Sequence, residues 1–144
     1  MTRDRQPEHI VVGTDGSLNA HAAIRWAIDH AREGDTVTLV HAWEPAPPSA
    51  DPIAADADPA GAARQFIERE CARANALARC DNVTIRGEAV EADPTHCLAG
   101  SDCDLVVVGT RGHSRVAEML LGSVIAHLAQ HCHRPLVIVP HEQP

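Results

Sequence analysis

The chain lacks lysine and tyrosine altogether, and all twelve of its basic residues are arginine. P-loop enzymes use a lysine on the nucleotide phosphates, protein kinases use one on a central strand, and Schiff-base enzymes use one as the nucleophile. The absence of lysine therefore excludes these three classes of site.

Long apolar segments are also lacking, because the longest apolar runs span only a few residues. No membrane span is therefore predicted, and the charged start of the chain does not resemble a secretory signal. A net charge of −8 disfavours nonspecific binding to nucleic acid or to an anionic membrane. The five cysteines are an odd number without tight pairing, which is typical of reduced thiols, so a cytoplasmic location is expected.

Cysteine and histidine lie close together in two places, 96–103 and 131–133. Neither place has Cys-x2-Cys spacing or four convergent ligands, so buried cysteines and helix-end histidines are expected there instead of a zinc site. His113 and Ser114 are neighbours in sequence, which is not the geometry of a Ser-His-Asp triad. No metal ligand and no catalytic residue is predicted.

Five short apolar segments alternate with four segments of helical periodicity. This alternation predicts an α/β fold, a single domain over 1–144, with a parallel sheet covered on both faces. Flexibility is expected at 1–8 and in the loop 44–59, which is rich in proline and aspartate. The helix predicted from Ala60 to Arg79 has its arginines and acids, Glu70 among them, on a solvated face, and Glu70 is expected to carry no chemistry.

The fourth strand and the helix after it contain the strongest signal for a binding site. The apolar run from Leu105 to Val108 predicts a strand buried on both faces, and Gly109 and Gly112 allow a sharp turn close to a ligand. Further along, Gly122 and Ser123 stand at the predicted start of a helix. Helix N-termini have unpaired N–H groups and a positive dipole end, so phosphate binding is expected there.

Asp15 follows the first strand, in a turn that Gly13 and Gly16 permit. Its carboxylate either bonds a ribose hydroxyl or satisfies N–H groups of the turn, and the residue type alone favours the turn. Ser17 is expected to cap the helix that follows. A site that uses both loops requires the first and fourth strands to be neighbours, because ligands of such sheets bind beyond the carboxyl ends of the strands.

The spacing Gly109-x2-Gly112-x9-Gly122-Ser123 closely resembles the nucleotide-binding signature of the universal stress protein family. The resemblance covers nearly the whole chain and is weakest over 44–91. It implies a doubly wound, Rossmann-like sheet of five parallel strands, of the adenine nucleotide alpha hydrolase-like type, in which the first and fourth strands are adjacent. It also implies ATP with Mg²⁺ as the ligand.

By this resemblance, eight residues fall in the nucleotide site. They are Asp15 for the ribose, Ala42 and Val108 for the base region, and Gly109, Gly112, Gly122, Ser123 and Val124 for the phosphates and ribose. Many nucleotide-binding members have a small hydroxyl residue where this chain has Ile125. One hydrogen bond to the phosphates is therefore expected to be missing, at a cost of about 0.5 to 1.5 kcal/mol.

The resemblance favours an ATP-binding sensor or regulatory module of the stress response, without efficient catalysis. Two alternatives remain open: a slow ATPase that hydrolyses ATP or passes the phosphoryl group to Ser123 or a partner, and a member that binds no nucleotide and acts through protein contacts. The last strand is expected at a sheet edge and, as in the family, to pair with a second copy in a homodimer. Its residues are Leu136, Val137, Ile138 and Val139. The alternative is that the N-terminal arm or the 44–59 loop covers this edge.

Overall fold

The computed structural model describes residues 5–45, 58–78, 82–110 and 123–140. Strands and helices alternate along the chain. They are β1 (His9–Gly13), α1 (Leu18–His30), β2 (Thr36–Trp43), α2 (Pro59–Leu77), β3 (Thr84–Glu91), α3 (Pro94–Ala99), β4 (Leu105–Gly109), α4 (Ser123–His131) and β5 (Leu136–Val139).

The strands form one sheet in the order β3-β2-β1-β4-β5, and every neighbouring pair is parallel. The predicted α/β fold with five parallel strands is confirmed. β1 and β4 are neighbours in the middle of the sheet, as a site shared by their two loops requires. β5 lies at an edge, as expected.

The sheet has an apolar core on each face because successive residues of a strand point to opposite sides. Ile10 and Val12 belong to one core cluster, together with buried residues of α1 and α2. Val11 belongs to the other, together with buried residues of α3 and α4. Each fully buried valine or isoleucine contributes about 1.5–3 kcal/mol, so both clusters hold helices on the sheet. The doubly wound arrangement is therefore confirmed.

Local capping fixes where the helices begin. The Ser17 side chain accepts a hydrogen bond from the Ala20 amide at 3.1 Å, so the predicted N-cap of α1 is confirmed. Asp58 and Asp93 cap α2 and α3 in the same way, each followed by a proline in the first turn. A cap of this kind is worth about 1 kcal/mol relative to alanine.

Asp35 joins the start of the chain to the amino edge of the sheet. Its carboxylate is 1% exposed and accepts hydrogen bonds from the Glu8 amide at 2.9 Å, the Arg32 amide at 2.8 Å and the Arg5 guanidinium at 2.6 Å. Residues 5–8 of the arm expected to be flexible thus lie against β2, whereas 1–4 and most of the 44–59 loop lie outside the described residues. Within the described part of the chain, no helix has the length and apolar character needed to cross a membrane.

Candidate functional site

The β1–α1 loop lies at the carboxyl edge of the sheet and is shaped by Gly16. Gly16 has φ +81°, in the left-handed region, and a Cβ there would lie 2.9 Å from Cε2 of Phe66. Both observations favour glycine at this position. The Asp15 carboxylate accepts a hydrogen bond from the Ser17 amide at 2.9 Å, so it does serve the turn. A second role of Asp15 towards a ligand remains a prediction.

Thr14 connects this loop to β2. It is 7% exposed, its amide donates to the Val40 carbonyl at 2.9 Å, and its own carbonyl lies 3.1 Å from His41 Nδ1. Because a carbonyl only accepts, this contact requires the proton on Nδ1 of His41. The imidazole also packs at a tilt on Phe66, with ring centroids 4.4 Å apart. Both the ring face and Nδ1 of His41 are therefore occupied by contacts within the protein, with Phe66 and with the Thr14 carbonyl.

Glu70 on α2 is a buried carboxylate that the sequence interpretation placed wrongly on a solvated face. It is 4% exposed, and the Thr14 hydroxyl donates to its Oε1 at 3.1 Å. His21 Nε2 lies 3.3 Å from Oε1, and Arg73 Nη1 lies 3.8 Å from Oε2. An unpaired buried charge costs several kcal/mol, and the Thr14 hydroxyl and the Arg73 guanidinium offset part of that cost.

A sequence signal for the burial of Glu70 was present. The buried residues of α2 are Ala63, Ile67, Glu70 and Ala74. These spacings of four, three and four residues place all four on one helical face. Glu70 is thus in phase with apolar residues, and this phase, not its charge, indicates where its side chain lies.

The end of β4 closely approaches the start of α1. A Cβ on Gly109 would lie 2.6 Å from the carbonyl carbon of Asn19, so only glycine fits there. The sequence interpretation attributed Gly109 to ligand approach, and the structure adds a packing reason. Thr110, the next residue, donates its amide to the Val139 carbonyl at 3.2 Å and so continues the β4–β5 pairing.

The strand register brings several of the predicted site residues to one edge. Val12 pairs with Leu39 of β2 on one side and with Val107 of β4 on the other. The loop with Asp15, the end of β2 with Ala42, and the end of β4 with Val108 and Gly109 therefore lie side by side at the carboxyl edge.

The phosphate-binding part of the prediction is only partly within the described chain. Gly112 and Gly122 lie outside the described residues, and Ser123 is the first residue of α4. Val124 is half-buried against the core cluster of this face. Ile125 is 3% exposed in that same cluster, so its side chain fills the apolar layer.

Three histidines pack together on the face covered by α3 and α4. The rings of His96 and His127 have centroids 5.6 Å apart, and those of His127 and His131 are 4.2 Å apart. In the described part of the chain, no three side chains of His, Cys, Asp or Glu are arranged to hold a metal ion. Burial raises the pKa of the Cys97 and Cys103 thiols on this face, which makes them poor nucleophiles at neutral pH.

Comparison with known proteins agrees with the fold. The sequence profile of the "Universal stress protein family" matches residues 7–140. The chain is 33% identical over 133 residues to universal stress protein Rv2624c of Mycobacterium tuberculosis, which covers 90% of this chain and 47% of that protein. The chain thus spans about half the length of the curated relatives it matches.

Solved structures of the same fold include two with nucleotides. A universal stress protein in complex with cAMP has a TM-score of 0.66 and 24% identity, over 96% of this chain and 100% of that one. A universal stress protein family protein from Arabidopsis thaliana with AMP bound has a TM-score of 0.65 and 15% identity, over 94% of this chain and 93% of that one. At these identities the structures establish the fold alone. The profile match over nearly the whole chain, together with the curated relative, shows that the chain belongs to the universal stress protein family.

Proposed function

We propose that this protein binds ATP with Mg²⁺ at the carboxyl edge of the sheet and acts as a nucleotide-dependent sensor or regulatory module in the stress response. The observation that carries the proposal is the adjacency of β1 and β4, which places the Asp15 loop beside Val108 and Gly109. Nucleotides bound to two proteins of the same fold, cAMP in one and AMP in the other, support an adenine nucleotide as the ligand.

Each part of the edge has a role in this proposal. Asp15 bonds the ribose hydroxyls, while Ala42 and Val108 contact the base region. The phosphates lie at the glycine loop and at the start of α4, where unpaired N–H groups and the positive dipole end favour an anion. The residues proposed for the phosphates and ribose are Gly109, Gly112, Gly122, Ser123 and Val124.

Efficient phosphoryl transfer is not expected at this edge. The chain has no lysine to neutralise charge on a transferring phosphoryl group. A cation in this role would have to be Mg²⁺ or an arginine. Binding without rapid turnover suits a protein that reports the presence of a nucleotide.

Co-purification tests this function. Wild-type protein purified under native conditions and then denatured is expected to release an adenine nucleotide, detected by mass spectrometry. The Gly122→Val variant is expected to release little, because a branched side chain blocks close backbone approach to the phosphates. Equal nucleotide content in the two proteins would contradict the proposal, and the identity of the released species distinguishes ATP from AMP and cAMP.

A further inference from the structure

The geometry points to Glu70 as a positioning residue for the candidate site: through the Thr14 hydroxyl it fixes the loop that carries Asp15 and Gly16. Glu70 is on α2, more than fifty residues from this loop in sequence, and its side chain meets the loop in the interior. The consequence for nucleotide affinity rests on the proposed function, whereas the consequence for the loop does not.

The hydrogen bonds at Thr14 have a defined direction. The Gly16 amide donates to Thr14 Oγ1 at 3.2 Å, and Thr14 Oγ1 lies 3.1 Å from Glu70 Oε1. The Thr14 hydroxyl donates its proton to the Glu70 carboxylate, which leaves Oγ1 to accept from the Gly16 amide. The chain of bonds therefore runs from Gly16 through Thr14 to Glu70, and each bond polarises the next.

This chain of hydrogen bonds holds the residues on both sides of Asp15. Gly16 is the residue with φ +81°, and Asp15 lies between it and Thr14. The Thr14 hydroxyl thus accepts from the residue on the far side of Asp15, while the Thr14 backbone is bonded to β2. Asp15 is held from both sides, so the direction of its carboxylate depends on the bond between Thr14 and Glu70.

Arg73 and His21 lie beside Glu70. Arg73 Nη1 lies 2.8 Å from His21 Nε2 and 3.8 Å from Glu70 Oε2. Since arginine only donates, the contact at 2.8 Å requires Nε2 to accept from Arg73, which leaves Nε2 without a proton to donate to Glu70 Oε1. His21 thus bonds the Arg73 guanidinium, which lies beside the Glu70 carboxylate and carries the opposite charge.

Hydrogen exchange of the Gly16 amide tests the inference without any nucleotide. Thr14→Val keeps the shape of the side chain but removes the hydroxyl, and Thr14→Ser keeps the hydroxyl. Thr14→Val is expected to raise the Gly16 exchange rate about three- to tenfold, as the loss of one hydrogen bond implies, and Thr14→Ser is expected to restore it. Glu70→Met removes only the bond between Thr14 and Glu70 and should also raise the Gly16 exchange rate. In the double variant it should add little to Thr14→Val, because the hydroxyl that bonds Glu70 is already absent.

Two controls separate this local effect from general instability. Glu68→Gln changes an exposed carboxylate on the same helix and is expected to leave Gly16 unchanged. The Val12 amide lies in the centre of the sheet, so its exchange reports opening of the whole domain. The proposal is overturned if Gly16 exchange stays at the wild-type rate in folded Glu70→Met, or if the Gly16 and Val12 exchange rates rise together by the same factor.

Nucleotide affinity of the same variants is measured in a separate experiment. If wild type binds a nucleotide, Thr14→Val should weaken the affinity about three- to tenfold and Thr14→Ser should recover it. If the affinity of Thr14→Val equals that of wild type, the link between this hydrogen bond and the ligand is overturned. If wild type binds no nucleotide, the proposed function fails, while the exchange result still decides whether Glu70 positions the loop.

Discussion

Gly109 at the end of β4 lies directly against the backbone of Asn19 in the first turn of α1, with 2.6 Å between the Asn19 carbonyl carbon and the point where a Gly109 Cβ would lie. The loops at both ends of this contact contain residues proposed to bind the nucleotide. One close approach therefore sets the distance between the two halves of the candidate site.

Gly109→Ala is expected to push α1 away from β4, because the clash is with backbone that has no rotamer to adopt. Overpacking of this kind costs about 1–3 kcal/mol, measurable by urea denaturation. Gly100→Ala is the matched control, since its nearest neighbour, the His96 carbonyl oxygen, lies 3.2 Å from the added Cβ. Equal losses for the two substitutions would contradict the account of Gly109.

Asp15→Ala is expected to weaken ATP about ten- to a hundredfold, because a hydrogen bond to a charged group is worth about 1.5–3 kcal/mol. Asp15→Asn keeps an oxygen for the Ser17 amide while removing the charge, so it should retain the stability of the turn and lose affinity. Calorimetry and thermal denaturation measure the two quantities. If Asp15→Ala loses stability while affinity per folded molecule is unchanged, Asp15 serves only the turn.

Asp35 is expected to make stability depend on pH. Burial alone would raise the pKa of this carboxyl, but hydrogen bonds from the Glu8 and Arg32 amides and from Arg5 outweigh it, so the pKa is lowered from its ordinary value of 3.8. A lowered pKa contributes stability that is complete above the unfolded-state value and is lost as pH falls through the folded-state value. The free energy of unfolding should therefore fall as the solution is acidified below about pH 4.

Asp35→Asn should remove this contribution. At neutral pH the variant is expected to be about 1.5–3 kcal/mol less stable, and its stability should change less than that of wild type on acidification. Asp29→Asn, at an exposed position on α1, is the control. Identical pH profiles for wild type and Asp35→Asn would show that the Asp35 contacts do not contribute.

We also propose a homodimer through β5. β5 is an edge strand, and Leu136, Val137 and Ile138 are only half-buried in the isolated chain. Pairing with a second copy would satisfy the free edge and cover these side chains. Sedimentation of wild type should show a dimer at micromolar concentration, and Val137→Lys a monomer. Val137→Thr keeps a β-branched shape without charge and should remain dimeric. A monomeric wild type, or a Val137→Lys variant that remains dimeric, would contradict the proposal.

The sequence predicted the fold because its apolar segments alternate with amphipathic ones, and each buried strand ends in glycine or a polar turn. It placed Asp15 and Gly109 at one edge correctly, since both follow parallel strands. It missed Glu70, because a charged side chain was assigned to solvent although its position is in phase with Ile67 and Ala74. The close approach of Asn19 to Gly109 joins residues about ninety positions apart, and no local pattern records such a contact.

Calorimetric titration of Mg²⁺-ATP into wild type and into Gly122→Val tests the central claim most directly. The account predicts a saturable heat with wild type that is lost or greatly weakened in the variant, while both proteins unfold at similar temperatures. It also predicts that wild type gives the same heat of binding when the ATP has been purified free of AMP, because the ligand is ATP. No heat with wild type, or equal affinity in the two proteins, would contradict nucleotide binding at the carboxyl edge of this sheet.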